Sequence, residues 1–120
     1  MISLPQVTVQ EVAERLKQRR QGSRAFILLD VREPLEHQHA NLGDEAVFVP
    51  LSALAERGVS ALPAALLASK NMEIVVMCHH GIRSAQVTQW LLGQGWQNVF
   101  NMTGGIHAYA LEVNPAVGRY

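Results

Sequence analysis

Two short runs of consecutive apolar residues constrain the fold of this chain most strongly. Residues 26–29 read Phe-Ile-Leu-Leu and residues 74–77 read Ile-Val-Val-Met, and neither run alternates with polar residues. A strand that is apolar on both faces is typical of a parallel sheet covered by helices on both sides. Because segments with helical spacing alternate with these runs, the sequence predicts an α/β domain with a central, mainly parallel sheet.

The predicted helices and remaining strands lie around these two runs. The capping-box spacing of Thr8 and Glu11 predicts a first helix that ends near Arg20, before a Gln-Gly-Ser turn. Ser60 is predicted to cap a helix that extends to about Ser69. The other expected elements are a helical turn after Pro34, strands at 47–49, 73–77 and 99–100, and helices at 85–94 and 107–111.

Composition and charge narrow the class of protein. The 120 residues are 48% hydrophobic and 17% charged, which is typical of one globular domain over residues 1–120. Ten basic and ten acidic side chains balance, so neither nucleic acid nor an anionic membrane is an expected partner. The chain has one cysteine, no secretory signal pattern and no apolar run of about 20 residues, which favours a cytoplasmic location.

The single cysteine directly follows the second apolar run and directly precedes a helical pattern. It begins a short loop with the sequence Cys78-His79-His80-Gly81-Ile82-Arg83-Ser84. Successive main-chain N–H groups in such a loop point inward, and the positive end of the following helix adds to their field, which favours a thiolate. A lone cysteine is more often a buried apolar residue. The neighbouring glycine, arginine and helix start nevertheless favour a nucleophile.

Three polar segments are expected to meet at one edge of the sheet. Residues 30–33, 78–83 and 103–105 each follow a predicted strand, and ligands of such folds bind at the carboxyl ends of the strands. Glycines at 104 and 105 lack a Cβ atom, which would let the backbone approach the cysteine loop closely. The residues expected to support the cysteine loop are Asp30, Arg32, Glu33, Gly104 and Gly105.

Three motifs in this chain resemble those of single-domain rhodaneses. They are Leu29-Asp30-Val31-Arg32-Glu33-Pro34, the loop that begins at Cys78, and Gly104-Gly105-Ile106-His107-Ala108-Tyr109. The resemblance extends from about Thr8 to Tyr109, with Ala40-Asn41-Leu42 in place of the Gly-His-Ile-like stretch usual in the family. It implies a rhodanese-like α/β fold with helices on both faces of the sheet. It also implies a sulfurtransferase in which Cys78 accepts a sulfane sulfur and becomes a persulfide, with no cofactor.

The length of the cysteine loop separates two chemistries that occur on related scaffolds. Four residues lie between Cys78 and Arg83, whereas cysteine phosphatases have one residue more and therefore a wider cradle. The shorter loop suits the outer sulfur atom of a donor better than a whole phosphate or arsenate group. Cysteine phosphatase or arsenate reductase activity is therefore the lower-ranked alternative.

The expected reaction is nucleophilic catalysis in two steps. The Cys78 thiolate takes a sulfur atom from a small donor such as thiosulfate, and an external thiol or cyanide then removes it. Because the sequence has no second cysteine, the acceptor, whether a small molecule or a protein, must come from outside the chain. A persulfide carrier, or a partner module in sulfur relay or sensing, would need the same cysteine, so this alternative stays open.

Several side chains near the loop have more than one expected role. Arg83 is expected either to contact the anionic substrate or to brace the loop by pairing with a carboxylate. Asp30 is expected to position the loop with Arg32 as its partner. Glu33 either faces the mouth of the site or is a solvated carboxylate at a helix start.

The histidines of the loop are equally open to two interpretations. His79 and His80 either hydrogen-bond the substrate or lie exposed at the loop surface. A metal site made of these two residues with His37 and His39 is not expected, because no thiolate pair or glutamate-containing zinc motif accompanies them.

Overall fold

A computed structural model of the chain, which describes residues 4–120, contains a sheet of five parallel strands. The strands lie in the spatial order β1-β5-β4-β2-β3. Their bounds are β1 Gln6–Val7, β2 Ile27–Asp30, β3 Ala46–Phe48, β4 Ile74–Met77 and β5 Val99–Met102. The three strands that precede the expected site segments, β2, β4 and β5, are therefore neighbours at the centre of the sheet.

Six α-helices accompany the sheet in the described residues. They are α1 Val9–Arg20, α2 Pro34–His39, α3 Leu51–Arg57, α4 Ala64–Ala68, α5 Ile82–Gly93 and α6 Gly105–Glu112. Short 3-10 helices lie at Gly43–Glu45, Gly58–Ala61 and Pro115–Val117. The capping box predicted for α1 is confirmed, since Glu11 N donates to Thr8 Oγ1 and Thr8 N donates to Glu11 Oε1.

Hydrophobic clusters cover both faces of the sheet. On one face, Leu28 and Val75 pack with residues of α1 and α6. On the other face, Leu29 and Val76 pack with residues of α3, α4 and α5, and with Trp96. Consecutive strand residues thus enter opposite halves of the core, which explains the uninterrupted apolar runs. The prediction of a parallel sheet with helices on both faces is confirmed.

The predicted helix from Ser60 to Ser69 is wrong. The chain instead forms α3, a 3-10 turn and α4, because Gly58 adopts a positive φ of 59° at the end of α3 and Pro63 precedes α4 as its N-cap. Ser60 does not cap a helix start, since its Oγ donates to the carbonyl of Arg57.

One apolar stretch of the described residues, Leu51–Ala68, would be long and apolar enough to cross a membrane by length and composition alone. The fold divides this stretch into α3, with seven residues, and α4, with five. Each is far shorter than the roughly 20 helical residues that a bilayer requires.

Other bounds also differ from the sequence prediction, since β5 extends to Met102 rather than to residue 100 and α6 begins at Gly105 rather than at residue 107. Helix α5 begins at Ile82, inside the cysteine loop, rather than at residue 85. Strand β1 was not predicted, because its two residues carry no pattern of their own and depend on pairing with Asn101 and Met102 of β5.

Candidate active site

The cysteine loop lies at the carboxyl end of the central strand β4. Cys78 is the first residue after β4 and is 1% exposed. Gly81 has a φ of 100° and forms the N-cap of α5. A Cβ atom at this position would lie 3.2 Å from Gly104 N and 3.3 Å from Met102 O. Both the left-handed backbone and the close neighbour therefore favour glycine in this turn.

The loop directs hydrogen-bond donors at the sulfur atom of Cys78. The main-chain N–H groups of Gly81 and Ser84 donate to Sγ, at N···S distances of 3.1 and 3.3 Å. The hydroxyl oxygen of Ser84 lies 3.2 Å from the same sulfur. With the N-terminus of the twelve-residue helix α5 beside them, the two main-chain N–H groups stabilise negative charge on the sulfur.

A buried polar side chain of β5, not predicted from the sequence, orients the cysteine loop. Asn101 Oδ1 accepts a hydrogen bond of 2.5 Å from Ser84 Oγ. Asn101 Nδ2 donates to Gly81 O and to Gln6 Oε1, at 3.1 and 3.2 Å. Because the Ser84 proton is directed to Asn101, a lone pair of the hydroxyl oxygen faces Cys78 and can accept a hydrogen bond from its S–H group. The only sequence signal was a polar residue within an otherwise apolar strand.

Arg83 pairs with Glu36 of α2. Its two terminal nitrogens donate to the two carboxylate oxygens at 2.6 and 2.7 Å. Hydrogen bonds from Arg83 are the main reason that the pKa of Glu36 falls to about 2, and the pair raises the pKa of Arg83 in turn. The sequence left two roles open for Arg83, contact with the substrate or bracing of the loop through a carboxylate. Its pairing with Glu36 corresponds to bracing. Sequence reasoning missed Glu36, its partner.

Asp30 and Arg32 form a second, fully buried ion pair below the loop. Arg32 Nε and Nη2 donate to the two oxygens of Asp30 at 2.9 and 2.8 Å. Arg32 Nη2 also donates to Ala40 O at 2.7 Å, which links the end of β2 to the end of α2. The pair therefore fixes α2, the helix that supplies Glu36 to the cysteine loop.

Glu33 lies at the start of α2, where the second of its two expected roles places it, and Ser52 contacts its carboxylate. It is the N-cap of α2, and its carboxylate accepts hydrogen bonds from Ser52 N at 3.1 Å and Ser52 Oγ at 2.6 Å. Because Ser52 belongs to α3, Glu33 joins the starts of two helices rather than contributing to the sulfur environment.

The first turn of α6 packs directly against the cysteine loop. The N–H groups of Ile106 and His107 donate to the carbonyls of Cys78 and His79 at 2.9 and 3.1 Å. A Cβ atom on Gly105 would lie 2.2 Å from His79 O, a distance that requires the backbone to move. Gly104, with a φ of 80°, provides the left-handed N-cap of the helix. Both glycines thus lie where the sequence placed them, beside the cysteine loop.

Three histidines meet above this contact. The ring centroids of His79 and His80 lie 4.0 Å apart, and those of His80 and His107 lie 4.9 Å apart. The His79 ring also stacks on Tyr120 at 3.9 Å. Burial, followed by the proximity of His80, lowers the pKa of His79. Sequence reasoning grouped the loop histidines with His37 and His39 and missed His107, which only the packing of α6 brings to the loop.

Apolar side chains project beside the braced arginine. Ile82, the first residue of α5, is 72% exposed, and Leu35 of α2 is 67% exposed. In the chain these residues directly precede Arg83 and Glu36, which are joined by the ion pair. The cysteine loop therefore has an apolar border on this side.

Comparison with known proteins finds one matching family model and several relatives of this chain. A family model for the rhodanese-like domain matches residues 8–112. The chain is 40% identical over 93 residues to the "Rhodanese-like/PpiC domain-containing protein 12, chloroplastic" of Arabidopsis thaliana, but these residues are 78% of this chain and only 30% of that protein. It is 32% identical over 105 residues to a sulfurtransferase of Allochromatium vinosum, covering 88% of this chain and 91% of that one.

Relatives of the same length include proteins with a named donor. The thiosulfate sulfurtransferase GlpE of Haemophilus influenzae (strain PittEE) is 29% identical over 119 residues, covering 99% of this chain and 100% of that protein. Among solved structures, a rhodanese-related protein from Thermoplasma volcanium superposes with a TM-score of 0.70 and 26% identity, covering 92% of this chain and 95% of that one.

Proposed function

This chain belongs to the rhodanese-like domain family, and we propose that it transfers a sulfane sulfur from a thiosulfate-type donor to a thiophilic acceptor through a persulfide on Cys78. One observation carries the proposal. The Cys78 sulfur accepts hydrogen bonds from two main-chain N–H groups at the start of α5. Relatives named sulfurtransferase and thiosulfate sulfurtransferase support it.

In the first step, the Cys78 thiolate attacks the outer sulfur atom of the donor. A new S–S bond forms at Cys78, the S–S bond of thiosulfate breaks, and sulfite leaves with the bonding electron pair. The outer sulfur of the persulfide then carries the negative charge. Hydrogen bonds from the loop amides favour this anion as they favour the thiolate, because the same field acts on both.

In the second step, an acceptor nucleophile attacks the outer sulfur. Cyanide becomes thiocyanate, or a thiolate becomes a persulfide, and the electron pair of the broken S–S bond returns to Cys78 as thiolate. Since Cys78 is the only cysteine of the chain, the acceptor is external.

A persulfide carrier or sulfur-relay module is the second candidate, and the apolar border of the loop favours it. Leu35 and Ile82 are both more than half exposed, and each directly precedes one member of the Arg83–Glu36 ion pair. Such a border suits a protein partner better than a small anion. For this candidate, transfer to small acceptors is slow and transfer to a partner protein is fast. A cytoplasmic location and the lack of nucleic-acid and membrane partners remain predictions from the sequence.

Phosphatase or arsenate reductase activity ranks lower. The gap of four residues between Cys78 and Arg83 gives a narrow loop, and Arg83 is occupied by Glu36. An oxyanion in the loop would have to compete with that carboxylate for the guanidinium.

Steady-state assays test the proposal. With thiosulfate as donor and cyanide as acceptor, the wild-type protein is expected to form thiocyanate, and Cys78→Ser is expected to form none. The same preparations are offered a small aryl phosphate. Hydrolysis of the phosphate without thiocyanate formation by the wild-type protein would reverse the ranking of sulfur transfer and phosphatase activity.

A further inference from the structure

We propose that His79, His80 and His107 form a binding site for a divalent transition metal ion such as Zn²⁺. Each of these residues offers one ring nitrogen as a ligand atom, and the three nitrogens lie within 4.8 Å of one another. Imidazole nitrogens suit zinc, copper and nickel, and three histidines with one further position is an established zinc ligand set.

The distances permit one ion to bind all three rings. Two nitrogens at about 2.0–2.1 Å from a tetrahedral zinc ion lie about 3.4 Å apart. The present separations of up to 4.8 Å therefore require each pair to close by about 1.4 Å or less. His80 is exposed, so its side chain can rotate without displacing the core.

The backbone already holds two of the three residues together. The N–H of His107 donates to the carbonyl of His79 at 3.1 Å, and the preceding N–H of Ile106 donates to Cys78 O. The third ligand, His80, is adjacent to His79 in the chain. The cost of assembling the ligands is thus met in part by folding, which fixes the start of α6 on the loop.

A buried nitrogen provides an independent indication of a ligand. His107 Nδ1 is buried and has no hydrogen-bond partner within residues 4–120. Such groups are rare in folded proteins because burying an unpaired polar atom costs about 1–3 kcal/mol. A bound ion, or a water molecule on it, would supply the missing partner.

The surroundings are compatible with a cation. Glu36 lies near the cluster, because Tyr120 Oη donates to its carboxylate and the Tyr120 ring stacks on His79. Its partner Arg83 is directed towards the Glu36 carboxylate. His79 also has a second contact, from Nε2 to the main-chain oxygen of Tyr120 at 3.1 Å. That contact can orient the ring as carbonyl oxygens orient zinc-binding histidines, provided that the other nitrogen binds the ion.

Calorimetric titration of Zn²⁺ into chelator-treated protein tests this site. The titration uses a Cys78→Ser background, so that no thiolate contributes and the result does not depend on sulfur transfer. One Zn²⁺ per chain is expected. His107→Gln and His80→Gln are each expected to weaken binding by at least about tenfold, because removing a ligand costs no less than removing its supporting partner.

The control is His37→Gln, which removes a histidine that packs on Phe48 outside the cluster. It is expected to leave the affinity unchanged. His80→Gln alters an exposed side chain, so its folded state is readily verified by circular dichroism. The proposal is overturned if the Cys78→Ser protein binds no Zn²⁺, or if His37→Gln weakens binding as much as His107→Gln and His80→Gln do.

Discussion

At the scale of single residues, the Arg83–Glu36 pair determines how the cysteine loop is held. The two terminal nitrogens of Arg83 each donate a hydrogen bond to a different carboxylate oxygen of Glu36. Tyr120 Oη donates to the same carboxylate at 2.9 Å. The arginine therefore acts through geometry as well as charge, and α2 restrains the loop through it.

Arg83→Lys separates geometry from charge. Lysine keeps the positive charge but loses the planar fork, so kcat/KM for sulfur transfer is expected to fall by roughly tenfold or more. Amide hydrogen exchange at Gly81 and Ser84 is expected to accelerate, because the loop loses its brace. Retention of nearly all activity with unchanged exchange would show that Arg83 acts only as a point charge.

The carboxylate of Glu36 is expected to make the free energy of unfolding depend on pH in the acid range. Its pKa is lowered from 4.5 to about 2, so the folded state favours the ionised form. The stabilisation is fully present above pH about 4.5 and is lost as the pH falls towards 2. The difference in unfolding free energy between wild type and Glu36→Gln, from urea titrations, should shrink over this interval.

Glu14→Gln provides the matched control for that experiment. Glu14 is an exposed carboxylate on α1, so its removal should leave the acid dependence close to that of wild type. A Glu36→Gln protein with the same pH profile as wild type would contradict the proposed strength of the ion pair.

At the scale of elements, the contact between α6 and the cysteine loop depends on Gly105. Its φ is +64°, and an added Cβ atom would lie 2.2 Å from His79 O and 2.6 Å from Cys78 O. Both atoms belong to the main chain of the loop. A side chain at this position must therefore displace either α6 or the segment that carries the nucleophile.

Gly105→Ala is expected to destabilise the protein and to abolish most sulfur transfer. Gly22→Ala is the control, because Gly22 also has a positive φ, of 77°, but an added Cβ would meet nothing within 4 Å. The control should cost only the left-handed strain of about 1–2 kcal/mol and keep its activity. Equal losses of stability in the two variants, from denaturant titration, would argue against a close contact at Gly105.

Asn101 links β5 to the same loop through Ser84 and Gly81. In Asn101→Leu, Ser84 Oγ and Gly81 O lose their partner, at a cost of about 1–3 kcal/mol for a buried unpaired group. As a positioning residue, Asn101 is expected to affect kcat more than KM. Gln97→Ala, at an exposed position, should change neither. A normal kcat in a destabilised Asn101→Leu protein would limit Asn101 to a structural role.

The elements that the sequence predicts well are those whose signal is local. Strands β2 and β4 are visible as apolar runs, and α1 is visible from its capping box. The segment between β3 and β4 was misread because the helix predicted from Ser60 to Ser69 includes Pro63, whereas Pro63 lies before α4 as its N-cap. Proline is compatible with both positions, so only the packing of Leu54 and Leu66 on the sheet decides between them.

At the scale of the whole molecule, the sheet order explains why the predicted site residues share one region. Adjacent parallel strands β2, β4 and β5 end at Asp30, Met77 and Met102, and the three motifs begin at these ends. The order of strands and motifs along the sequence was enough to predict that the three motifs lie close together. Glu36, His107 and Tyr120 could not be foreseen, because their contacts with the loop depend on how helices and side chains pack after the sheet has formed.

The most direct test of the account is the mass of the protein after incubation with thiosulfate. The wild-type chain is expected to gain the mass of one sulfur atom, to lose it on addition of cyanide or dithiothreitol, and Cys78→Ser is expected to gain none. The expected product is the persulfide of Cys78, held by the N–H groups of Gly81 and Ser84. A correctly folded wild-type protein that never gains this mass would contradict the proposed sulfur transfer.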